Sequence, residues 1–486
     1  MSVPASRVLD RRRAGVLLHA TSLPDASHGA LGQAARSFVD WLVAGGFSVW
    51  QLLPLGPVAA GGSPYFGCSN HAGDPALVDR TALVQAGLIG SDELAGGAQQ
   101  APIGLAGRRL RARGGEAAVA LESFVAREAH WLADYALFTS IQAEQHGRPW
   151  WQWPQALRQR EAGALQLART RLGAAIADAK AGQYFFRTQY TALKDYAAAR
   201  GVHLFGDIPI YPAPDSVEVW AHPELFQLDA AGRPTAVAGV PPDYFATDGQ
   251  LWGNPLYRWE EHERTGFAWW IERLRAQFEL FDLVRIDHFR GLESYWAIPA
   301  GAPTAASGEW RRAPGARLLA RVQQVLGGLE LVAEDLGVIT REVEWLRDRF
   351  GLPGMRVAQF GFGGDPANLH LPHNWMPRSI AYTGTHDNDT TAGWYSSLEP
   401  HTRELVADYV GAPPAGVVPA LTRTVLASVA GLAVLPMQDL LGLGRDARMN
   451  TPGTTTGNWT WKFAWPDVPE GLAARCLRWN WLYGRA

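Results

Sequence analysis

Eight short segments rich in Val, Ile, Leu and Phe punctuate this 486-residue chain, and helical stretches separate many of them. They are 15–23 (GVLLHATSL), 48–55 (SVWQLLPL), 202–210 (VHLFGDIPI) and 283–289 (LVRIDHF). The second four are 329–335 (LELVAED), 355–360 (MRVAQF), 379–385 (SIAYTGT) and 432–440 (LAVLPMQDL). Near-continuous apolar runs are the pattern of strands buried on both faces, as in parallel sheets covered by helices. Several runs turn polar near their C-terminal ends, at Asp207, Asp287, Glu334 and His386–Asp387. A (β/α)8 barrel places its chemistry there. A doubly wound open sheet is the alternative, but no GxGxxG or GxxxxGK[ST] loop supports it. The expected fold is α/β: one catalytic (β/α)8 TIM barrel domain over 1–486, with inserted, largely helical subdomains at its C-terminal face and no C-terminal β-domain.

The spacing of the eight segments locates the insertions. The second and third are separated by about 145 residues. A helical subdomain is therefore expected at about 59–200, with helices over 121–145 and 156–181 bridged by Pro149-Trp150-Trp151-Gln152-Trp153-Pro154. Residues 211–255 are rich in Pro, Gly, Asp and aromatics, with weak periodicity, and read as an irregular loop region beside the site. The stretch 442–457 is dominated by Gly, Thr, Asn and Arg and leads into a Trp-rich tail. The run Arg11–Arg13 reads as a solvated terminus.

Composition removes several classes of function. Lys plus Arg is 44 and Asp plus Glu is 47, a net charge of −3. Such a chain has no electrostatic footprint for nucleic acid or an anionic membrane. Cys68 and Cys476 lie far apart in no CxxC spacing, so neither a disulfide framework nor a zinc site is expected. No run approaches the ~18 apolar residues of a membrane helix. The run 14–18 is too short for a signal-peptide core, and the expected location is cytoplasmic. The 21 tryptophans stand out. Several fall in polar, Gly/Pro-rich segments, where flat side chains can stack on the apolar faces of sugars; the plain alternative is that most simply pack.

Three acidic clusters end predicted strands. Arg285 and Asp287 are two apart, hence on one face, and Arg285 would hold Asp287 ionised, as suits a nucleophile. A buried ion pair fixing a strand end is the structural alternative. Glu334 and Asp335 end the fifth apolar run, where a partly desolvated carboxyl can be a general acid. Alternation alone does not say which points inward, and Asp335 is expected to cap the following helix. In 382–389, Asp387 could bind sugar hydroxyls while His386 contacts a neighbouring oxygen. No HExxH or second spaced His supports a metal, and no GxSxG element supports a serine hydrolase. Paired acids at a barrel mouth point to glycosidic-bond chemistry.

These residues carry a resemblance. Arg285-Ile286-Asp287-His288-Phe289-Arg290-Gly291, Ala333-Glu334-Asp335-Leu336-Gly337 and Thr383-Gly384-Thr385-His386-Asp387-Asn388 resemble the catalytic blocks of the 4-α-glucanotransferases, or amylomaltases, of the α-amylase clan. Ser63-Pro64-Tyr65, Gly206-Asp207-Ile208-Pro209-Ile210, Gly239-Val240-Pro241-Pro242-Asp243-Tyr244-Phe245, Leu251-Trp252-Gly253-Asn254-Pro255 and Asn450-Thr451-Pro452-Gly453-Thr454 are similar to further family blocks, in family order. The resemblance implies Asp287 as nucleophile, Glu334 as acid/base and Asp387 as transition-state stabiliser. It implies Arg285 and His386 at the sugar whose bond breaks. Tyr65, Asp207, Trp252, Asn254, Tyr244, Phe245 and Asn450 carry over as further substrate contacts. Where some relatives have an acidic loop residue this chain has Ala246-Thr247-Asp248, and Asp248 is a candidate replacement.

The expected activity is transfer of an α-1,4-glucan segment to the 4-hydroxyl of another glucan, by retaining double displacement, with no cofactor and no metal. Expected partners are maltooligosaccharides, amylose and glycogen- or starch-derived glucans. An amylolytic hydrolase using the same acids is the competing enzyme, and a glycan-binding barrel without turnover is the competing binder.

Overall fold

Residues two apart share a face of a strand, so a strand buried on both sides sends one set of side chains into a barrel and the other toward its helices. The structure, a computed structural model, describes residues 8–58, 62–94, 101–242, 247–413 and 416–486. Its strands in chain order are β1 (Arg13–Leu17), β2 (Val49–Gln51), β3 (His203–Ile208), β4 (Ala236–Val240), β5 (Gln250–Pro255) and β6 (Leu283–Ile286). They continue with β7 (Ser294–Pro299), β8 (Glu309–Arg312), β9 (Leu331–Ala333), β10 (Gly354–Val357), β11 (Ser379–Tyr382) and β12 (Leu432–Pro436).

Eight strands form one parallel sheet in the order β10-β11-β12-β1-β2-β3-β6-β9. The Ala333 N–H donates to the Pro353 carbonyl at 2.9 Å, tying the two ends of that row. The sheet is thus a nearly closed barrel with helices around it, and the eight strands are those expected from the apolar segments. Leu17, Val49, Phe205, Leu283, Val332, Met355, Ile380, Tyr382 and Leu432 fill its interior as one cluster. The alternate residues Val16, Trp50, Leu204, Val284, Ala333, Ala381 and Ala433 join the larger layer under the helices. Helix Gln33–Ala44 shows how that layer is built: it buries Ala34, Ala35, Phe38, Val39 and Leu42, one stripe of a 3.6-residue period. The interior parity continues to the mouth, so Asp207, Arg285 and Glu334 extend the columns of Phe205, Leu283 and Val332.

Between β2 and β3 the long helices are Ala101–Arg113, Gly115–Arg127, Ala129–Glu144, Ala162–Arg171 and Gly173–Ala198. The chain ends on helix Leu472–Leu482, with no strand after β12 among the described residues. Nor is any described helix long and apolar enough to cross a membrane.

Three expectations need correction. Segment 211–255 is not irregular: it holds β4 and β5, which join β7 and β8 in an antiparallel sheet of order β5-β4-β7-β8. Its pattern is locally weak because β4 pairs with the distant β7 and carries a register shift between Val237 and Gly239 against β5. Segment 432–440 is strand only to Pro436, which starts helix Met437–Leu441. The Arg11–Arg13 run is solvated only at Arg11. Arg13 opens β1, 6% exposed, and its guanidinium donates to the Val8 carbonyl at 2.8 Å, while Arg12 reaches the Ser428 carbonyl at 2.6 Å. The tryptophans mostly pack, as the plain alternative has it: Trp50, Trp150, Trp153, Trp220, Trp259, Trp270 and Trp375 are buried, including two of the three in the 149–154 turn, and Trp41, Trp151, Trp269, Trp394, Trp461, Trp465 and Trp479 lie partly buried against the core.

Candidate active site

The floor of the barrel mouth is a buried ion network. Arg285 and Asp207 are 3% and 1% exposed, and Arg285 Nε donates to Asp207 Oδ1 at 3.0 Å. Arg285 Nη2 donates to Asp287 Oδ1 from the same fork. A buried guanidinium is tolerable because two carboxylates share it. Asp287, one residue past β6, is partly exposed at the mouth. Burial raises its carboxyl above the usual Asp range although Arg285 opposes the rise. Arg285 works against burial in the expected direction, and with the carboxyl raised only to about 6 it stays ionised at neutral pH.

Glu334 stands one residue past β9. Its Oε2 accepts from the His288 N–H at 2.6 Å and its Oε1 from the Leu336 N–H at 2.9 Å. His288 can aim that N–H because its backbone is left-handed (φ 55°, ψ 50°). For a non-glycine residue that conformation costs about 1–2 kcal/mol, and it falls immediately after Asp287. Burial first, then the negative charge of Asp287, push the Glu334 proton affinity above the ordinary Glu range, against Arg285 and the two N–H donors. A carboxyl kept protonated beside one kept anionic is a proton donor beside a nucleophile.

Asp335 faces the other way and caps no helix. It is 5% exposed, accepts from the Met355 N–H at 2.6 Å and from Arg347 at 2.5 Å, and lies against Gly354, where a Cβ would come 2.2 Å from its Oδ2. Helix Arg341–Arg349 starts instead at Thr340, without a side-chain cap bond.

The opposite rim is built after β11. His386 Nε2 lies 3.3 Å from Asp387 Oδ2 and 2.9 Å from the Tyr65 hydroxyl. Tyr65 donates in turn to Asp207 Oδ2 at 2.8 Å, and its ring stacks on His386 at 5.3 Å. The Asn450 amide donates to Asp387 Oδ1 at 2.6 Å. Burial favours the neutral acid at Asp387, but His386 and Asn450 outweigh it and hold the carboxyl below the usual range. Thus Tyr65, Asp207, Arg285, Asp287, His386, Asp387 and Asn450 form one connected hydrogen-bonded network, with Glu334 beside it.

The remaining candidates differ. Trp252 stands with its ring 4.7 Å from that of His288, edge-on, at the margin of the site. Asn254 is buried and its amide donates to the Pro212 carbonyl at 2.9 Å, so that amide holds two loops together instead of facing a ligand. Asp248 is exposed, and its backbone carbonyl accepts from the Ala305 N–H at 3.0 Å. Tyr244 and Phe245 lie outside the described residues. Two groups went unnoticed in the sequence. Arg448 donates to the Asp387 backbone carbonyl at 2.6 Å, and Trp459, left-handed at φ 64°, sits 6.0 Å from both Tyr65 and His386. The Gly-, Thr- and Trp-rich composition of 442–465 was their one signal. Among the described residues no three His, Cys, Asp or Glu side chains group so as to hold a metal ion.

Comparison with known proteins bears on this geometry. The family model described as 4-alpha-glucanotransferase matches residues 18–467. The 4-alpha-glucanotransferase of Thermus thermophilus is 48% identical over 96% of this chain and 97% of its own length. That of Synechocystis is 42% identical over 98% and 99%. The amylomaltase of Streptococcus agalactiae, solved in complex with acarbose, superposes with a TM-score of 0.94 at 37% identity, covering 98% of this chain and all (100%) of that one. The amylomaltase of Corynebacterium glutamicum, at 18% identity and a TM-score of 0.77, shares the fold over 99% of this chain and 76% of its own. With a match across nearly its whole length, and with Asp287, Glu334 and Asp387 gathered at one barrel mouth, the chain belongs to the 4-alpha-glucanotransferase family.

Proposed function

We propose that this 4-alpha-glucanotransferase works by retaining double displacement, with Asp287 as nucleophile, Glu334 as acid/base and Asp387 as transition-state stabiliser. One observation carries the reading: Asp287 and Glu334 follow the paired strands β6 and β9 at one mouth of the barrel, where burial and the Asp287 charge favour the protonated form of Glu334. Glu334 gives its proton to the glycosidic oxygen while an Asp287 oxygen attacks the anomeric carbon; the C–O bond to the leaving glucan breaks and a glucosyl ester forms. Glu334, now anionic, takes the proton from the 4-hydroxyl of an incoming glucan, whose oxygen displaces Asp287. Asp387 binds ring hydroxyls more strongly as positive charge develops on the sugar. His386 and Tyr65 fix the geometry of Asp387, Arg285 and Asp207 hold the floor, and Asn450 orients Asp387. Trp252 offers an apolar wall beside the site.

The substrates under this reading are maltooligosaccharides, amylose and glycogen- or starch-derived α-1,4-glucans, met in the cytoplasm. The two free cysteines, Cys68 and Cys476, suit a reducing compartment. Product analysis on pure maltotriose tests it. Free glucose with a ladder of longer α-1,4 oligomers is the expected result. Glucose and maltose without longer products would mean that water outcompetes acceptor, and a hydrolase would replace the transferase.

A further inference from the structure

The loop 384–390 carries His386 and Asp387, and one buried carboxyl group ties its two ends together. Asp439 lies in helix Met437–Leu441, which directly follows β12. Its Oδ2 accepts from the Thr383 hydroxyl at 2.5 Å and from the Thr391 hydroxyl at 2.6 Å. Its Oδ1 accepts from the Thr391 N–H at 2.7 Å. Thr383 directly follows β11, Thr391 opens helix Thr391–Ser397, and both are fully buried. A carboxylate accepts at both oxygens, so one side chain can bridge two chain segments. Burial is costly for such a group: it raises the Asp439 proton affinity, and the three donors from Thr383 and Thr391 oppose the rise. None of these bonds goes to His386 or Asp387, so Asp439 reaches them only through the ends of their loop.

The helix of Asp439 leads into the segment that grips the same loop from its other side. Arg445 Nε donates to Asp389 Oδ2 at 2.8 Å, and Arg448 donates to the Asp387 carbonyl at 2.6 Å. The Asn450 N–H donates to the His386 carbonyl at 3.1 Å, beside its amide bond to Asp387 Oδ1. These grips place Asp387 correctly only while segment 437–450 and the loop keep one register, and Asp439 joins the two at both ends of the loop. We infer that Asp439 is a positioning residue for glucan transfer, holding loop 384–390 so that Asp387 meets the sugar in the geometry the transition state needs. The inference rests on the reading of Asp387 as transition-state stabiliser. A displacement of about 1 Å at such a group can cost about 10²-fold in rate, while substrate still binds through the rest of the cleft.

The test measures kcat and KM for glucose release from maltotriose, with melting temperatures alongside. The variants are Asp439→Ala, Asp439→Asn, Thr383→Val, Thr391→Val and Thr391→Ser, each made in the wild type and again on Asp387→Asn. Asp439→Ala should lower kcat about 10²-fold, with KM within about threefold of the wild type. Asp439→Asn should lose less, because its oxygen keeps the Thr391 N–H and the two hydroxyls can turn to accept from its amide. Each Val variant removes one hydroxyl and should lower kcat about tenfold. Thr391→Ser keeps the hydroxyl and should recover most of the Thr391→Val loss. On Asp387→Asn, whose stabilising charge is already gone, every one of these changes should cost less than about threefold more. Equal losses in the two backgrounds, a raised KM at constant kcat, or unchanged kcat in every variant would each overturn the inference. Should Asp439→Ala fold poorly, the Val variants carry the same comparison. Wild-type kcat in Asp387→Asn would fail the stabiliser reading itself, an outcome distinct from these.

Discussion

The two rims of the barrel mouth carry the same functional group under opposite rules. On the β6–β9 rim, Asp287 and Glu334 are both raised, chiefly by burial, and the charge of Asp287 adds to the rise at Glu334. On the β11 rim, Asp387 is held anionic by His386 and Asn450 against the same burial. The first rim can hold a proton and release it; the second keeps a charge fixed. Residue type does not distinguish them. Their neighbours do: backbone N–H donors and a second carboxylate on one side, an imidazole and an amide on the other.

The sharpest way to break this comparison is to remove one acid at a time. Asp287→Asn takes away the nucleophile and should cost more than about 10⁴ in kcat, measured on maltotriose. Glu334→Gln should cost about 10²–10⁴ and remove one arm of the pH profile. In the wild type the rate needs Asp287 ionised and Glu334 protonated. It should therefore fall at low pH as Asp287 gains its proton, and at high pH as Glu334 loses its own, the upper limb lying above the ordinary Glu range because that proton affinity is raised. Glu334→Gln has no proton to lose, so its upper limb should vanish; a limb that persists would assign the acid elsewhere.

On the other rim, Asp387→Asn should cost about 10²–10³ in kcat with both limbs in place, because its charge is constant across the working range. Loss of either limb in that variant would show the two rims titrating together. The smallest effect on rate is expected at Asp335, the neighbour of Glu334 that faces outward. Asp335→Asn takes a shared carboxylate from the half-buried Arg347, which keeps Asp348, and from the buried Arg356, and should destabilise the fold by about 1–3 kcal/mol in denaturant unfolding. Activity per folded molecule should change little, which separates support from chemistry at adjacent positions.

That adjacent pair also shows how far the sequence could be read. Alternation makes Glu334 and Asp335 point to opposite faces, but β9 is buried on both faces, so nothing in Leu331-Val332-Ala333 marks the interior. The column through Val332 is the interior one only because β6 and β10 close around it. Arg285 and Asp287 were legible because they share a parity in one strand. Arg448 and Trp459 were not, since they reach the site from a segment with no regular pattern. The antiparallel sheet escaped notice for a related reason: β4 takes its partner from β7, more than fifty residues away in the chain, and shows little alternation of its own.

The sequence alone determined eight buried strands, their order, the acids at their ends and the place of the long insertion, because these are local patterns of hydrophobicity and chain order. Tertiary structure decided which of two neighbouring acids enters the cleft, which carboxyl keeps its proton and which its charge, and which tryptophans meet the site. Those depend on desolvation and on charges and donors brought from strands far apart in the chain, and such neighbours exist only once the barrel has closed.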